Sequence, residues 1–465
     1  MTLQQLFKKF SASHNWNALA YVAYKILFTA LSFILYSRLS TEDFSIWANI
    51  HCTAYLLILW IDAGFRKSIP RYAPEYAHNK KALKQFTNGV ILFQALLLIA
   101  SVPIFIFVLN HIFVRPDSML IALGCGLFVG EGITSVLQLV YHAYFWNKEF
   151  NILTTTILLA QMAFNLFFIA HTASSRTVII GILASKIIAS FVIICASIIM
   201  LKWLNKDEID PISTPFNARL ITRKFIKHSA LMWASNIIKS LSERNFLVPF
   251  FTYTLGSAPA NLFKVANDGA LFFYRIVIKT IGTTDTALLA HVETSPENRR
   301  YMDLAFKKLI SKMALLCIPL IIFVGSIFLY SQGKTNEFML YALTTMAIAY
   351  LIESLFLPYE RMLEVKQQYW YLFFCYIPYL MIIIMFLSSS IIDSLGLFES
   401  IVMIHMIRLV SLFAMVFCAR RLFRVSFPAR HILLILGVSL CIVGALYPLT
   451  RYLIKALETH GFNLF

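Results

Sequence analysis

Long apolar runs follow one another from end to end of this chain, separated by short polar segments. Runs long enough to cross a hydrocarbon layer about 30 Å thick place thirteen helices at 15–39, 44–65, 86–113, 118–142, 151–172, 177–203, 228–255, 260–290, 309–331, 336–358, 369–389, 396–419 and 431–454. The longest polar interruption, 204–227, holds Asp207, Glu208, Asp210, Pro211 and Pro215. No interruption is large enough for a separate soluble domain, so the pattern predicts an all-α polytopic membrane protein.

The layout repeats. Lys8-Lys9-Phe10 precedes Trp16, Asn17 and Lys25, and Arg223-Lys224-Phe225 precedes Trp233, Asn236 and Lys239. In both places the second helix opens into a basic segment, 66–85 and 292–308. The pattern predicts a six-helix half over 1–203, a cytoplasmic linker over 204–227 and a second six-helix half over 228–422. An additional helix and outer tail follow over 423–465. The halves form a parallel pseudo-repeat about an axis along the membrane normal.

Composition agrees, with 59% hydrophobic and 14% charged residues and a mean hydropathy of +0.73. The net charge of +17 would suit a nucleic-acid partner, but topology absorbs it. With the N-terminus inside, 25 of the 40 Lys and Arg fall in inner segments and six in outer ones. That is the positive-inside rule, and it places the C-terminus outside. Nucleic acid is therefore not expected as a partner. Lys8 and Lys9 stand before a first span without an A-x-A cleavage site, which reads as a retained helix. The seven cysteines, among them Cys375 and Cys418, are scattered through apolar helices and read as buried thiols. No H-E-x-x-H pair or G-x-x-x-x-G-K-[ST] loop is present, so no metal or cofactor is expected.

The remaining nine basic residues lie within spans. Lys186 and Lys312 stand near helix ends and read as snorkelling. The other seven, Lys25, Lys239, Arg244, Lys264, Arg275, Lys279 and Arg408, would together cost roughly 20 kcal/mol facing lipid, at about 3 kcal/mol each. They are expected to face an interior cavity. Lys264, Asp268, Arg275 and Lys279 fall within roughly 60° of one another on one helix, a single stripe. Lys264 and Asp268 also have the i, i+4 spacing of a self-contained pair. Thr29, Ser32 and Tyr36 share the face of Lys25. Glu131, between Gly130 and Gly132, reads either as a proton or cation site or as a carboxyl held by a neighbour. Glu243, Asp268 and His405 are further candidates for charge balance or ion coupling, and Glu353 is a weaker one.

The second helix closes in Asp62-Ala63-Gly64-Phe65-Arg66-Lys67-Ser68-Ile69-Pro70-Arg71, where Asp62 and Arg66 can pair across one turn. With Arg38, Phe44 and Trp47 at the first turn, and Leu255-Gly256 followed by Phe263 and Ala266, this resembles the polysaccharide-export flippases of the multidrug/oligosaccharidyl-lipid/polysaccharide exporter superfamily. Ser40 and Ser45 depart from that pattern, and the proline common near the inner end of the eighth helix is absent around His291. The resemblance covers about residues 1–422.

The resemblance implies a transporter of the bacterial cytoplasmic (inner) membrane that carries an undecaprenyl-diphosphate-linked oligosaccharide, such as an O-antigen or lipopolysaccharide unit, to the outer leaflet by alternating access. Lys25, Lys239, Arg244, Lys264, Arg275, Lys279 and Arg408 would contact the diphosphate or acidic sugars. Glu131, Glu243, Asp268 and His405 would balance charge or couple to H+ or Na+, and Asp62, Gly64, Arg66 and Arg71 would form an inner gate or structural motif. The lipid tail would stay among membrane lipids, and polysaccharide polymerase or export proteins would be partners. A cation-coupled multidrug antiporter of the same superfamily is the first alternative, although its lumen would favour acidic residues. The lipid II flippase branch is another, but the chain lacks its basic motif between the first two helices. A polymerase, ligase or glycosyltransferase using the same carrier needs a sizeable outer loop. Every outer loop here is short (40–43, 114–117, 173–176, 256–259, 332–335 and 390–395), so no enzyme is expected.

Overall fold

The computed structural model describes residues 27–66, 68–69, 72, 80–112, 117–143, 146–204, 223–271, 302, 337–366, 368–388, 391–425, 433 and 437. All regular structure among them is helical. The helices are α1 (Leu27–Arg38), α2 (Thr41–Ile61), α3 (Lys80–Ile112), α4 (Ser118–Ala143), α5 (Asn147–His171), α6 (Ser175–Leu204), α7 (Arg223–Ser240) and α8 (Arg244–Thr254). They continue with α9 (257–271), α10 (Glu337–Val365), α11 (Tyr369–Ser388), the single turn α12 (Ile391–Ser394) and α13 (Leu397–Phe423). Among the described residues, seven helices are long and apolar enough to cross a membrane. The protein is a multi-pass membrane protein. The spans expected at 309–331 and 431–454, most of 260–290 and the start of 15–39 lie outside the described residues.

Local chemistry accounts for the helix ends. Ser40 caps α2, its hydroxyl accepting from the Asp43 amide at 3.1 Å, and Glu42 and Asp43 complement the dipole in the first turn. Leu92, Phe107, Phe167, Phe191, Ile199, Met385 and Phe417 are exposed, as lipid-facing side chains of spanning helices are.

One expectation fails here. The span at 228–255 is two helices, α7 and α8, broken at 241–243. The amides of Leu241, Ser242 and Glu243 each reach back three residues, at 3.3, 3.3 and 2.9 Å, so the break keeps its donors satisfied through tight turns. Trp60 of α2 pins it, its indole donating to Ser240 Oγ at 2.8 Å.

The chain forms two compact units. The first comprises residues 1–31 and 38–261, the second 32–37 and 262–465. In the first, α4 packs on α3 and α6, α5 on α6, and α7 and α8 on α2. In the second, α13 packs against α10 and α11. Residues 205–222 of the expected linker lie outside the described residues.

Candidate functional site

In the first unit, the close of α2 meets the start of α7. Asp62 is buried, and its carboxylate takes the Arg66 amide at 3.2 Å and faces the Arg66 guanidinium at 3.5 Å. Arg66 also donates to Ser135 Oγ of α4 at 2.5 Å. Gly64 has φ +76°, and a Cβ there would stand 2.2 Å from the Ser229 carbonyl oxygen. Only glycine satisfies both constraints. Ser229 Oγ donates to Ser68 Oγ at 2.8 Å, and Ser68 Oγ lies 3.2 Å from His228 Nδ1. The expected motif is thus a tight junction between α2 and α7. Arg71, its last member, lies outside the described residues.

The break between α7 and α8 carries three candidates. Lys239 is half-buried in the last turn of α7, Glu243 is half-buried at the N-cap of α8, and Arg244 is buried in the first turn of α8. The Arg244 guanidinium donates to Asn245 Oδ1 at 3.1 and 3.3 Å. A discontinuous helix puts polar backbone and a buried guanidinium inside the bundle, as at many ion and substrate sites of membrane proteins.

Deeper in the same unit, Glu131 of α4 is held from three sides. Tyr55 OH of α2 donates to Oε2 at 2.6 Å. Ser190 Oγ of α6 donates to Oε1 at 2.9 Å, and Lys186 Nζ of α6 stands 3.1 Å from Oε1. Lys186 therefore does not snorkel: it is buried inside α6 because a carboxylate awaits it there. The glycines beside Glu131 allow this approach, since a Cβ on Gly130 would meet Ser190 Cβ at 3.0 Å and one on Gly132 would meet Leu98 at 2.5 Å.

In the second unit, Lys264 and Asp268 form the i, i+4 pair that their spacing allowed. Nζ and Oδ2 are 2.9 Å apart, with side chains 0% and 2% exposed. Ser32 of α1 closes the pair, donating to Asp268 Oδ2 at 2.9 Å and accepting from Lys264 at 3.3 Å. The structure thus sets Lys264 in a sealed pair and not on an open cationic surface. Arg275 and Lys279 of the same stripe, and Lys25, lie outside the described residues.

Arg408 and His405 of α13 share Glu353 of α10. His405 Nδ1 is 2.9 Å from Oε1 and Arg408 Nε is 3.1 Å from Oε2. The His405 ring meets Tyr350 edge-on at 5.1 Å, and Tyr350 OH accepts from Asn267 of α9 at 2.7 Å. Glu353 is thus the centre of the cluster. The helix also runs beyond its expected end, through Pro358 to Val365. That extension adds Glu360, bonded by Tyr376 OH at 3.0 Å, and Glu364, paired with Arg361 at 2.8 Å. Glu353, Glu360 and Glu364 fall within about 40° on one face of α10, a buried acidic stripe visible in the spacing and not singled out from it.

No family model and no curated protein matches this chain. Among solved structures it is similar to an inward-facing multidrug resistance MATE family transporter of the MOP superfamily. That match has a TM-score of 0.62 and 12% identity, and covers 86% of this chain and 94% of that one. It is also similar to the lipid II flippase MurJ in an inward closed conformation (0.60, 13%, covering 96% and 92%). A third is a MOP superfamily transporter from Pyrococcus furiosus, described as having a binding pocket of reverse polarity (0.54, 9%, covering 89% and 95%). At these identities the likeness shows the fold: this chain has that of the MOP superfamily transporters.

Proposed function

We propose that this protein carries an undecaprenyl-diphosphate-linked oligosaccharide from the inner to the outer leaflet of a bacterial cytoplasmic membrane by alternating access, N-terminus inside and C-terminus outside. Buried Arg244 at the broken α7–α8 helix is the observation that carries this reading. A guanidinium beside a helix N-terminus favours a diphosphate, and a lipid-linked substrate needs such a group at membrane depth. Arg244 and Lys239, with Arg275, Lys279 and Lys25, are the residues assigned to the anionic headgroup. Lys264 and Arg408 are assigned to it in a conformation that frees them from Asp268 and Glu353. Glu243, Asp268 and His405 balance charge or couple the cycle to a cation, and Asp62, Gly64, Arg66 and Arg71 form the inner junction. The fold shared with a lipid II flippase supports the substrate class.

The buried acidic stripe Glu353, Glu360 and Glu364 favours a second reading, a cation-coupled antiporter of cationic drugs. One assay separates the two. Liposomes holding the purified protein and an undecaprenyl-diphosphate oligosaccharide are treated with a glycosidase, and the rate of glycan exposure is followed. Wild type should expose the glycan well above empty liposomes. Losing one charge-assisted hydrogen bond, about 1.5–3 kcal/mol, should slow Arg244→Ala by at least about tenfold. Glycan exposure no faster than in empty liposomes, together with efflux of a cationic dye, would overturn the flippase reading in favour of the antiporter.

A further inference from the structure

We infer that Glu131 is the carboxylate of a monovalent-cation site in the first unit, and that the cation filling it is the protein's own Lys186 ammonium. Three helices build the site. Glu131 comes from α4, Tyr55 from α2, and Lys186 and Ser190 from one face of α6 at i, i+4 spacing. Both carboxylate oxygens are engaged, Oε2 by Tyr55 at 2.6 Å and Oε1 by Ser190 at 2.9 Å and Lys186 at 3.1 Å. The two charged side chains are only 11% and 13% exposed. Nζ lies against Oε1 of a carboxylate that also holds the Tyr55 and Ser190 hydroxyls, oxygen-rich surroundings suited to a small hard cation or a primary ammonium.

The lysine tether makes occupancy permanent at any external cation concentration. Ser190 adds a donor that a bare ion pair would lack, and Gly130 lets the backbone of α4 approach that side chain. The association of α2, α4 and α6 therefore needs no ion from solution. This extends beyond the proposed substrate and holds whichever molecule the protein moves.

The test is thermal unfolding in detergent at fixed pH and ionic strength, with sodium chloride, ethylammonium chloride or choline chloride. Wild type should unfold at the same temperature in all three. Lys186→Ala should unfold at lower temperature and recover by about 2–4 °C, saturably, in sodium or ethylammonium but not in the bulkier choline. The double variant Lys186→Ala/Glu131→Gln should lose that response and be more stable than Lys186→Ala alone, because no uncompensated charge remains. Two results would overturn the inference. One is saturable sodium stabilisation of wild type that Glu131→Gln abolishes, which would make solution sodium the occupant. The other is a Lys186→Ala variant that answers all three salts alike, which would leave an ion pair and no site. Should Lys186→Ala fail to fold, the wild-type and Glu131→Gln arms still decide between lysine and solution sodium.

Discussion

Replacing Gly64 with alanine is expected to unseat the end of α2 from the start of α7. Two costs add. Gly64 sits at φ +76°, where an L side chain costs about 1–2 kcal/mol. Its new Cβ would also stand 2.2 Å from the Ser229 carbonyl oxygen and 2.9 Å from the Trp233 amide nitrogen. Both are backbone atoms, so no rotamer change relieves the overlap. The helices must part by about 0.8 Å to restore a 3.0 Å contact, a small-to-large insertion worth about 1–3 kcal/mol. That movement stretches the 2.8 Å Ser229–Ser68 hydrogen bond, another ~1 kcal/mol. The expected loss is about 3–6 kcal/mol. Gly256 supplies the control, with φ +90° and no atom within 4 Å of a Cβ. Gly256→Ala should therefore carry only the conformational cost of about 1–2 kcal/mol. Thermal unfolding of both purified variants in one detergent measures the difference, and Gly64→Ala should lower Tm at least about twice as far. Equal shifts, or no shift at Gly64, would refute the junction drawn between α2 and α7.

The sealed pair in the second unit should behave as a unit in a double-mutant cycle. Lys264→Ala or Asp268→Asn alone should each cost about 3–5 kcal/mol by stranding the partner's buried charge, and the double variant less than their sum; additive losses in chemical denaturation would contradict the pairing. Cys375 Sγ of α11 and Cys418 Sγ of α13 lie 3.6 Å apart. A mild two-electron oxidant should join them, with loss of both thiol protons, and mass spectrometry should recover the linked α11–α13 peptide. Absence of that peptide when the oxidant has reached both thiols would mean that the two helices meet in another register.

Helices and partners differ in how far the sequence exposes them. Spanning helices need about twenty apolar residues whatever their neighbours, so α2 to α6, α11 and α13 were readable to within a few residues at most ends. The break at 241–243 was not. Ser240, Leu241, Ser242 and Glu243 contain no proline or glycine, and the nearest proline, Pro249, lies inside α8. What holds the break is Trp60, a long-range partner that no local window contains. Likewise α10 continues through Pro358 to Val365, and that proline's neighbours Leu357 and Tyr359 are buried by long-range packing.

The same division governs the charges. Pairs at helical spacing were legible, Asp62 with Arg66 and Lys264 with Asp268, since 3.6 residues per turn fixes who can meet. Pairs across helices were not: Ser190 reaches Glu131 over 59 positions and His405 reaches Glu353 over 52. The cost of burying a charge states that each must find something, and it does not state what. Counting interior cations therefore overstates the open positive surface. Lys186, Lys264 and Arg408 each meet a carboxylate, and the pairs are neutral as they stand. For an anionic substrate to be bound at Lys264 or Arg408, a conformational step must pull the lysine or arginine from its carboxylate. On that route Asp268 and Glu353 would each hold the place of such a substrate's anion until it binds.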